Sequence, residues 1–370
     1  IYASLADESK KDEEVLNNIV EWETVKESSY NEKVIRKASR HISENLGDNP
    51  KVADPFAGGG SIPLEAQRLG CETYAYDLNP VALMNLKATL QYPQKYGKPS
   101  KQTNLNDTDQ EGEYNLLEDF QDWSDWVEER VEEKISDFYN IDETDENLAG
   151  YIWARTTECE RADCGAEIPL LRNYWLTKKG DKVAIKPIKR DEKKKIEFEV
   201  VPEDDVNFDA NDGTVNRSKV TCPFCGSTIP ADDMRERGKN GEIGHRAIAK
   251  ISTRENEKGK FYELVDEDEK ERIRKAEKKL SEIRQNNPEL IPTESLPEEI
   301  ANSATRARHY GFDTFEEFFN TRQLFTNIQF TEVLDDAYEE IKQDYDEGYA
   351  EAIKVLLTFA VDKIVDRNNV

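Results

Sequence analysis

Asp54-Pro55-Phe56-Ala57-Gly58-Gly59-Gly60-Ser61 is the stretch on which the fold of this chain turns. Just before it, Lys51 to Asp54 reads as a short buried strand; after it, Ser61 to Leu69 reads as a helix that Gly70 ends. Glycines at a strand-to-helix handover have no Cβ, so the backbone can turn sharply and come close to a ligand. The helix that follows presents unpaired N–H groups at its start. Glu72 to Asp77 reads as a second strand, and Asn79-Pro80 opens another helix through about Leu90. Strand, glycine loop, helix, strand, acidic residue, helix is a βαβ unit, whose two strands are expected to be parallel. Asp77 follows Gly58 by 19 residues, where its carboxylate can accept hydrogen bonds from two ribose hydroxyls. A dinucleotide fold uses the same logic but wants Gly-x-Gly-x-x-Gly, a spacing that Ser61, Ile62, Pro63 and Leu64 break. A ligand-free glycine turn and a site for some other nucleotide stand as alternatives.

On the N-terminal side, residues 8–46 read as mainly helical, ended by Gly47-Asp48-Asn49-Pro50. On the C-terminal side, residues 96–113 read as a polar linker and Tyr114 to Tyr139 as an amphipathic helix carrying Trp123 and Trp126. Asn173 to Leu176 and Lys182 to Ile188 flank Lys178-Lys179-Gly180-Asp181 as a hairpin. Asp191 to Lys219 reads as a charged variable loop plus a strand. His245 to Ser252 and Lys260 to Leu264 read as strands, and Asp266 to Gln285 as a charged helix. Phe315 to Phe325 is rich in aromatics that suit a core better than a base-stacking platform. Thr331 to Arg367 is one long helix or two.

The five cysteines are too few for a disulfide scaffold in a chain of 370 residues. Four form two hooks, Cys159-x4-Cys164-Gly165 and Cys222-x2-Cys225-Gly226. Four thiolates in this arrangement suit a tetrahedral, structural Zn²⁺; free thiols or a redox pair are the other readings. Cys71 reads as a small core residue. His41, His245 and His309 fall outside both hooks and read as packed or surface residues.

The net charge is −27 and the sequence pI about 4.7. That is the wrong sign for phosphate neutralisation, the usual source of DNA affinity. Either the chain does not touch DNA, or it comes from a halophilic, high-salt cytoplasm where acidic surfaces are general. No apolar run approaches the roughly 18 residues that span a bilayer, and no secretory signal precedes the fold, so no membrane partner and a cytoplasmic setting are expected. The first residue is Ile rather than Met, which suggests a piece of a longer protein.

Ala53-Asp54-Pro55-Phe56-Ala57-Gly58-Gly59-Gly60-Ser61-Ile62-Pro63-Leu64-Glu65-Ala66 with Tyr76-Asp77-Leu78-Asn79-Pro80-Val81-Ala82 resembles the adenine-specific DNA methylases that contain a zinc ribbon, the family labelled DUF1156. Tyr151-Ile152-Trp153-Ala154-Arg155-Thr156, Cys164 to Leu170, Thr321-Arg322-Gln323-Leu324 and Ala360-Val361-Asp362-Lys363 are similar too. The resemblance runs from about residue 20 to the end. It implies an α/β fold: a partial Rossmann-like class I methyltransferase dependent on S-adenosylmethionine, with an inserted zinc ribbon and helical segments. It implies cofactor contacts from Asp54, Pro55, Phe56, Ala57, Gly58, Gly59, Gly60, Asp77 and Asn79, a structural zinc on Cys159, Cys164, Cys222 and Cys225, and DNA as partner, methylated at adenine N6. In that family the acidic residue opening the loop sits near the methionine moiety of the cofactor. The catalytic Asp/Asn-Pro-Pro-Tyr/Phe tetrapeptide, which holds the amino nitrogen of a flipped base, has no counterpart here, so no catalytic residue is named. A separate C-terminal half is the partner that would supply it. The expected division is a helical extension over 1–20, the cofactor-binding βαβ part over 21–113, a helical linker over 114–150, the zinc-ribbon insertion over 151–264 and a helical region over 265–370.

Overall fold

Gly47 and Asn49 both take left-handed backbone, at φ 84° and 52°. They end helix α1 (Ser28–Leu46) and feed strand β1 (Lys51–Asp54). The computed structural model describes residue 5 and residues 28–97, 115–139, 146–217, 219–255, 257–297 and 307–367. The expected extension over 1–20 lies outside these apart from residue 5, as does most of the 96–113 linker.

Helix α2 (Ser61–Arg68) follows the glycine loop, Gly70 ends it at φ 83°, and strand β2 (Glu72–Ala75) returns. β1 and β2 pair in parallel, from Lys51 opposite Glu72 to Asp54 opposite Ala75. The expected βαβ unit is therefore present, but β1 is not a buried strand. Its residues alternate between exposed and half-buried, as do those of β2. A parallel strand is buried on both faces only when further strands and helices flank it, and among the described residues this sheet has two strands. Helix α3 (Pro80–Leu86) continues through a wider π turn, Lys87–Gln91, into α4 (Tyr92–Tyr96). The helical run thus passes its expected end near Leu90. Pro93 lies inside it without an N–H to donate, and the wider turn just ahead accommodates the ring.

Helix α5 (Leu116–Ile135) ends in a 3₁₀ turn over Ser136–Phe138. Strands β3 (Glu146–Glu158), β4 (Glu167–Leu170), β5 (Trp175–Thr177), β6 (Val183–Arg190), β7 (Lys195–Pro202), β8 (Val215–Asn216), β9 (Lys219–Thr221) and β10 (Thr228–Ile229) follow. Then come helix α6 (Ala231–Lys239), strands β11 (Gly244–Arg254) and β12 (Phe261–Leu264), and helices α7 (Glu267–Asn286), α8 (Thr321–Asp344) and α9 (Glu347–Arg367). The expected hairpin is β5–β6. The segment 191–219 holds more order than a loop and one strand: β7 pairs with β6 along its length. Its alternation Ile196, Phe198, Val200 against Glu197 and Glu199 is the period-2 signal of a half-buried strand. The closing region is two helices. Phe325 is buried in the core as expected, whereas Phe315 keeps 39% of its surface exposed.

The chain packs as two compact units, residues 1–127 with 334–362, and 128–333 with 363–370. The region 265–370 thus contributes to both. In the first unit Ala38, Ile42 and Leu69 pack α1 against the end of α2. There too Tyr349 is fully buried, its hydroxyl donating to Asp119 and its ring edge-on to Tyr96 at 5.0 Å. In the second unit the sheets β12-β11-β3-β4 and β5-β6-β7 share a core built on Ala154, Tyr174, Ile185, Ile196, Phe198 and Ile248. Arg322, almost wholly buried, pairs with Glu269 at 3.3 Å, donates to the Phe138 carbonyl and lies 3.9 Å from the Tyr151 ring.

Candidate functional sites

In the first unit the loop between β1 and α2 is closed by backbone bonds to β2: Tyr76 N–H donates to the Asp54 carbonyl and Ala57 N–H to the Tyr76 carbonyl, each at 2.9 Å. Gly58 and Gly60 take φ of 51° and 82°. A Cβ on Gly60 would also stand 2.8 Å from Leu86 Cδ2, while at Gly58 and Gly59 nothing lies within 4 Å. Gly60 is thus fixed by packing as well as by dihedral, and the space over the other two is open. No side chain caps α2, so of its first turn the N–H groups of Ser61 and Ile62 have no side-chain partner, while Pro63 has none to offer.

Asp77 accepts from Gly58 N–H through Oδ2 and from Asn79 N–H through Oδ1, both at 2.8 Å. These bonds, Asn79 first and then Gly58, hold its carboxyl below the usual range. Sequence reasoning treated Asp77 purely as a ligand contact and missed this clasp, by which the second strand fixes the glycine loop. Each carboxylate oxygen keeps a second acceptor position, so the clasp leaves room for hydroxyl donors. Asn79 caps α3, its Oδ1 accepting from Val81 N–H at 2.9 Å; Asp54 Oδ1 accepts from Phe56 N–H at 3.1 Å. Pro55 is exposed, Phe56 is 86% exposed and Ala57 is buried. Asp54, Gly58, Gly60, Asp77 and Asn79 therefore converge on one loop, with Phe56 projecting from it.

In the second unit the two cysteine hooks meet. Cys159 and Cys164 lie at the β3–β4 turn, Cys222 and Cys225 at the β9–β10 turn. All four sulfurs lie within 4.8 Å of one another. Cys159 and Cys225 are 3.5 Å apart, and Cys164 and Cys222 3.8 Å. A tetrahedron with Zn–S bonds of about 2.3 Å has edges of roughly 3.8 Å, so the donor set fits a zinc ion. Gly165 and Gly226 follow the second cysteine of each hook at φ 54° and 72°. A Cβ would meet nothing at either, so the dihedral alone calls for glycine. Ser227, which sequence reasoning passed over, places its hydroxyl 3.0 Å from Cys225 Sγ and 3.3 Å from Cys159 Sγ. It pulls the Cys225 thiol down to about 6, whereas burial pushes Cys222 up to about 12. Cys71 is buried and its thiol pushed up by that burial, in keeping with a core role. His41 and His245 stand apart from the sulfur cluster; the side chain of His309 lies outside the described residues.

Residues 32–162 match the family described as D12 class N6 adenine-specific DNA methyltransferase. The match takes in the glycine loop, Asp77 and Cys159. No curated protein and no solved structure matches the chain. No described helix is long and apolar enough to cross a membrane.

Proposed function

We propose that this chain is the S-adenosylmethionine-binding portion of a DNA methyltransferase acting on adenine N6. The observation that carries this reading is the loop at Gly58–Gly60, clasped by Asp77, inside the segment that matches the D12 methyltransferase family. Asp77 would accept the ribose hydroxyls, and the open backbone of Gly58 and Gly59 would lie along the cofactor. Asp54 would face its methionine end, with Phe56 and Asn79 at the margins. S-adenosylmethionine supplies an electrophilic methyl group; the share of these residues is to hold it in one orientation, since placement is most of what a protein adds to such a transfer. The four cysteines would hold a structural zinc in a ribbon-like insertion of the kind seen in DUF1156 methylases. The acidic surface is consistent with a halophilic cytoplasm.

A second reading is that the chain acts only with a separate C-terminal half. Phe56, Tyr76, Leu78 and Val81 support it: 86%, 57%, 99% and 58% exposed, they gather at the same end of the two-stranded sheet. Transfer of labelled methyl from S-adenosylmethionine to adenine-containing DNA tests both readings, assayed with the chain alone and with a supplied Asp-Pro-Pro-Tyr-bearing half. Label in DNA with the chain alone contradicts the split form and leaves the first reading; label only in the mixture supports the split form. Absence of label in either, with zinc bound and the fold intact, contradicts both.

A further inference from the structure

In the second unit a cavity of about 310 Å³, lined by none of the cysteines, opens between β3, β11 and the aromatic turns ahead of α8. That volume is at the small end of the range for ligand pockets. Arg155 on β3 and His245 on β11 are directly opposed across the strand pair, and both line it. The half-buried Arg155 guanidinium lies 4.5 Å over the ring of Phe312. No carboxylate among the described residues pairs with it, in a chain with net charge −27.

The two carboxylates on the cavity wall are already engaged. Glu316 pairs with Arg284, and Glu317 accepts the N–H groups of Asp313 and Thr314 at 2.5 and 2.8 Å. A partly desolvated arginine with no anion is costly, so its complement is expected from outside. His245 stays accessible at the cavity mouth, yet desolvation, with the Arg155 charge opposite, holds its imidazole below the usual range. At neutral pH it can therefore donate one ring N–H without adding a second charge. Tyr310, Phe312 and Phe319 give the rest of the lining its aromatic character, and Phe312 is itself stacked on Phe318 at 5.2 Å.

The wall is also closely packed at Gly238 and Gly311. A Cβ on Gly311 would stand 1.9 Å from the Gly238 carbonyl oxygen, and one on Gly238 2.3 Å from that of Tyr310. Backbone touches backbone here, so neither position can carry a side chain into the space.

We propose that this cavity binds the phosphate of a nucleotide, free or within a DNA strand, with Arg155 and His245 on the phosphate and the aromatic wall beside the base. The arginine fork matches phosphate oxygens in pairs and stacks on aromatic rings at once. The site is separate from the glycine loop, and the inference does not rest on methyl transfer.

Calorimetry on the zinc-replete chain tests it with four probes: deoxyadenosine 5′-monophosphate, deoxyadenosine, inorganic phosphate and a short single-stranded oligodeoxynucleotide. The monophosphate is expected to bind saturably, and deoxyadenosine roughly tenfold or more weaker, the weight of a charge-assisted paired contact. Arg155→Met is expected to lose about the same factor with unchanged zinc content, and Arg155→Lys to lose less. A tighter oligonucleotide assigns the site to a strand, a tighter monophosphate to free nucleotide. Equal binding of nucleoside and nucleotide, or an unaltered Arg155→Met, overturns the proposal. Should Arg155→Met not fold, the His245 ring resonances of the unaltered protein decide. They are expected to move on saturation with the monophosphate, and stationary signals overturn the proposal.

Discussion

At the residue scale, single groups carry more than one task, and their substitutions separate the tasks. Gly60 needs both its left-handed φ of 82° and the gap beside Leu86. Gly60→Ala is expected to lower stability by roughly 1–2 kcal/mol, the cost of a left-handed alanine, seen as a lower denaturant midpoint; an unchanged midpoint would show that the loop relaxes freely. For Asp77, whose folded pKa is lowered by backbone donors, the sign is that of a depressed carboxylate. Its contribution is full above the ordinary aspartate range and is lost only as pH falls below that range. Replacing it by Asn should thus cost most at neutral pH and flatten the acid limb of the unfolding curve, where the native protein loses that contribution as well, which paired acid titrations of the two proteins would reveal. In the cysteine cluster, if it holds the proposed zinc, Cys222→Ser and Cys225→Ser should each bring bound zinc from about one per chain towards none, measured by elemental analysis; retained stoichiometric zinc would refute the tetrahedral assignment.

At the element scale, what was legible in the sequence followed local pattern. The glycine loop, the Asn79-Pro80 helix start and the two hooks depend on residue types at fixed spacing, and each stands where that spacing put it. Strand β7 was legible too, in the alternation Ile196, Phe198, Val200, but the lysines and glutamates around it masked the signal. Helix α6 offers only Met234 and Gly238 as buried positions, so no apolar stripe announced it. The exposure of β1 could not be read at all, because burial depends on how many strands flank it. Nor could the meeting of Arg322 and Glu269, 53 residues apart, at 3.3 Å in the core. Arg322→Met is expected to cost about 3–5 kcal/mol by stranding the glutamate. The double change with Glu269→Leu should recover most of that loss in urea melts, whereas additive losses would mean the pair is not coupled.

At the scale of the whole molecule, the chain divides its tasks between two units. One holds a parallel strand pair with a clasped glycine loop; the other holds a β-rich core around four converged thiols. The family match spans the loop and the first cysteine of the cluster, and the net charge of −27 leaves phosphate recognition to local features such as Arg155 rather than to a general field. What unites these features is the proposed binding of S-adenosylmethionine by the loop. It is tested most directly by calorimetric titration of S-adenosylmethionine into the zinc-replete chain, at high and low salt, beside Asp77→Ala. Saturable binding is expected, weakened by about tenfold or more in Asp77→Ala through lost hydrogen bonds to a charged group. No binding to the folded chain, or binding that Asp77→Ala leaves unchanged, would contradict it.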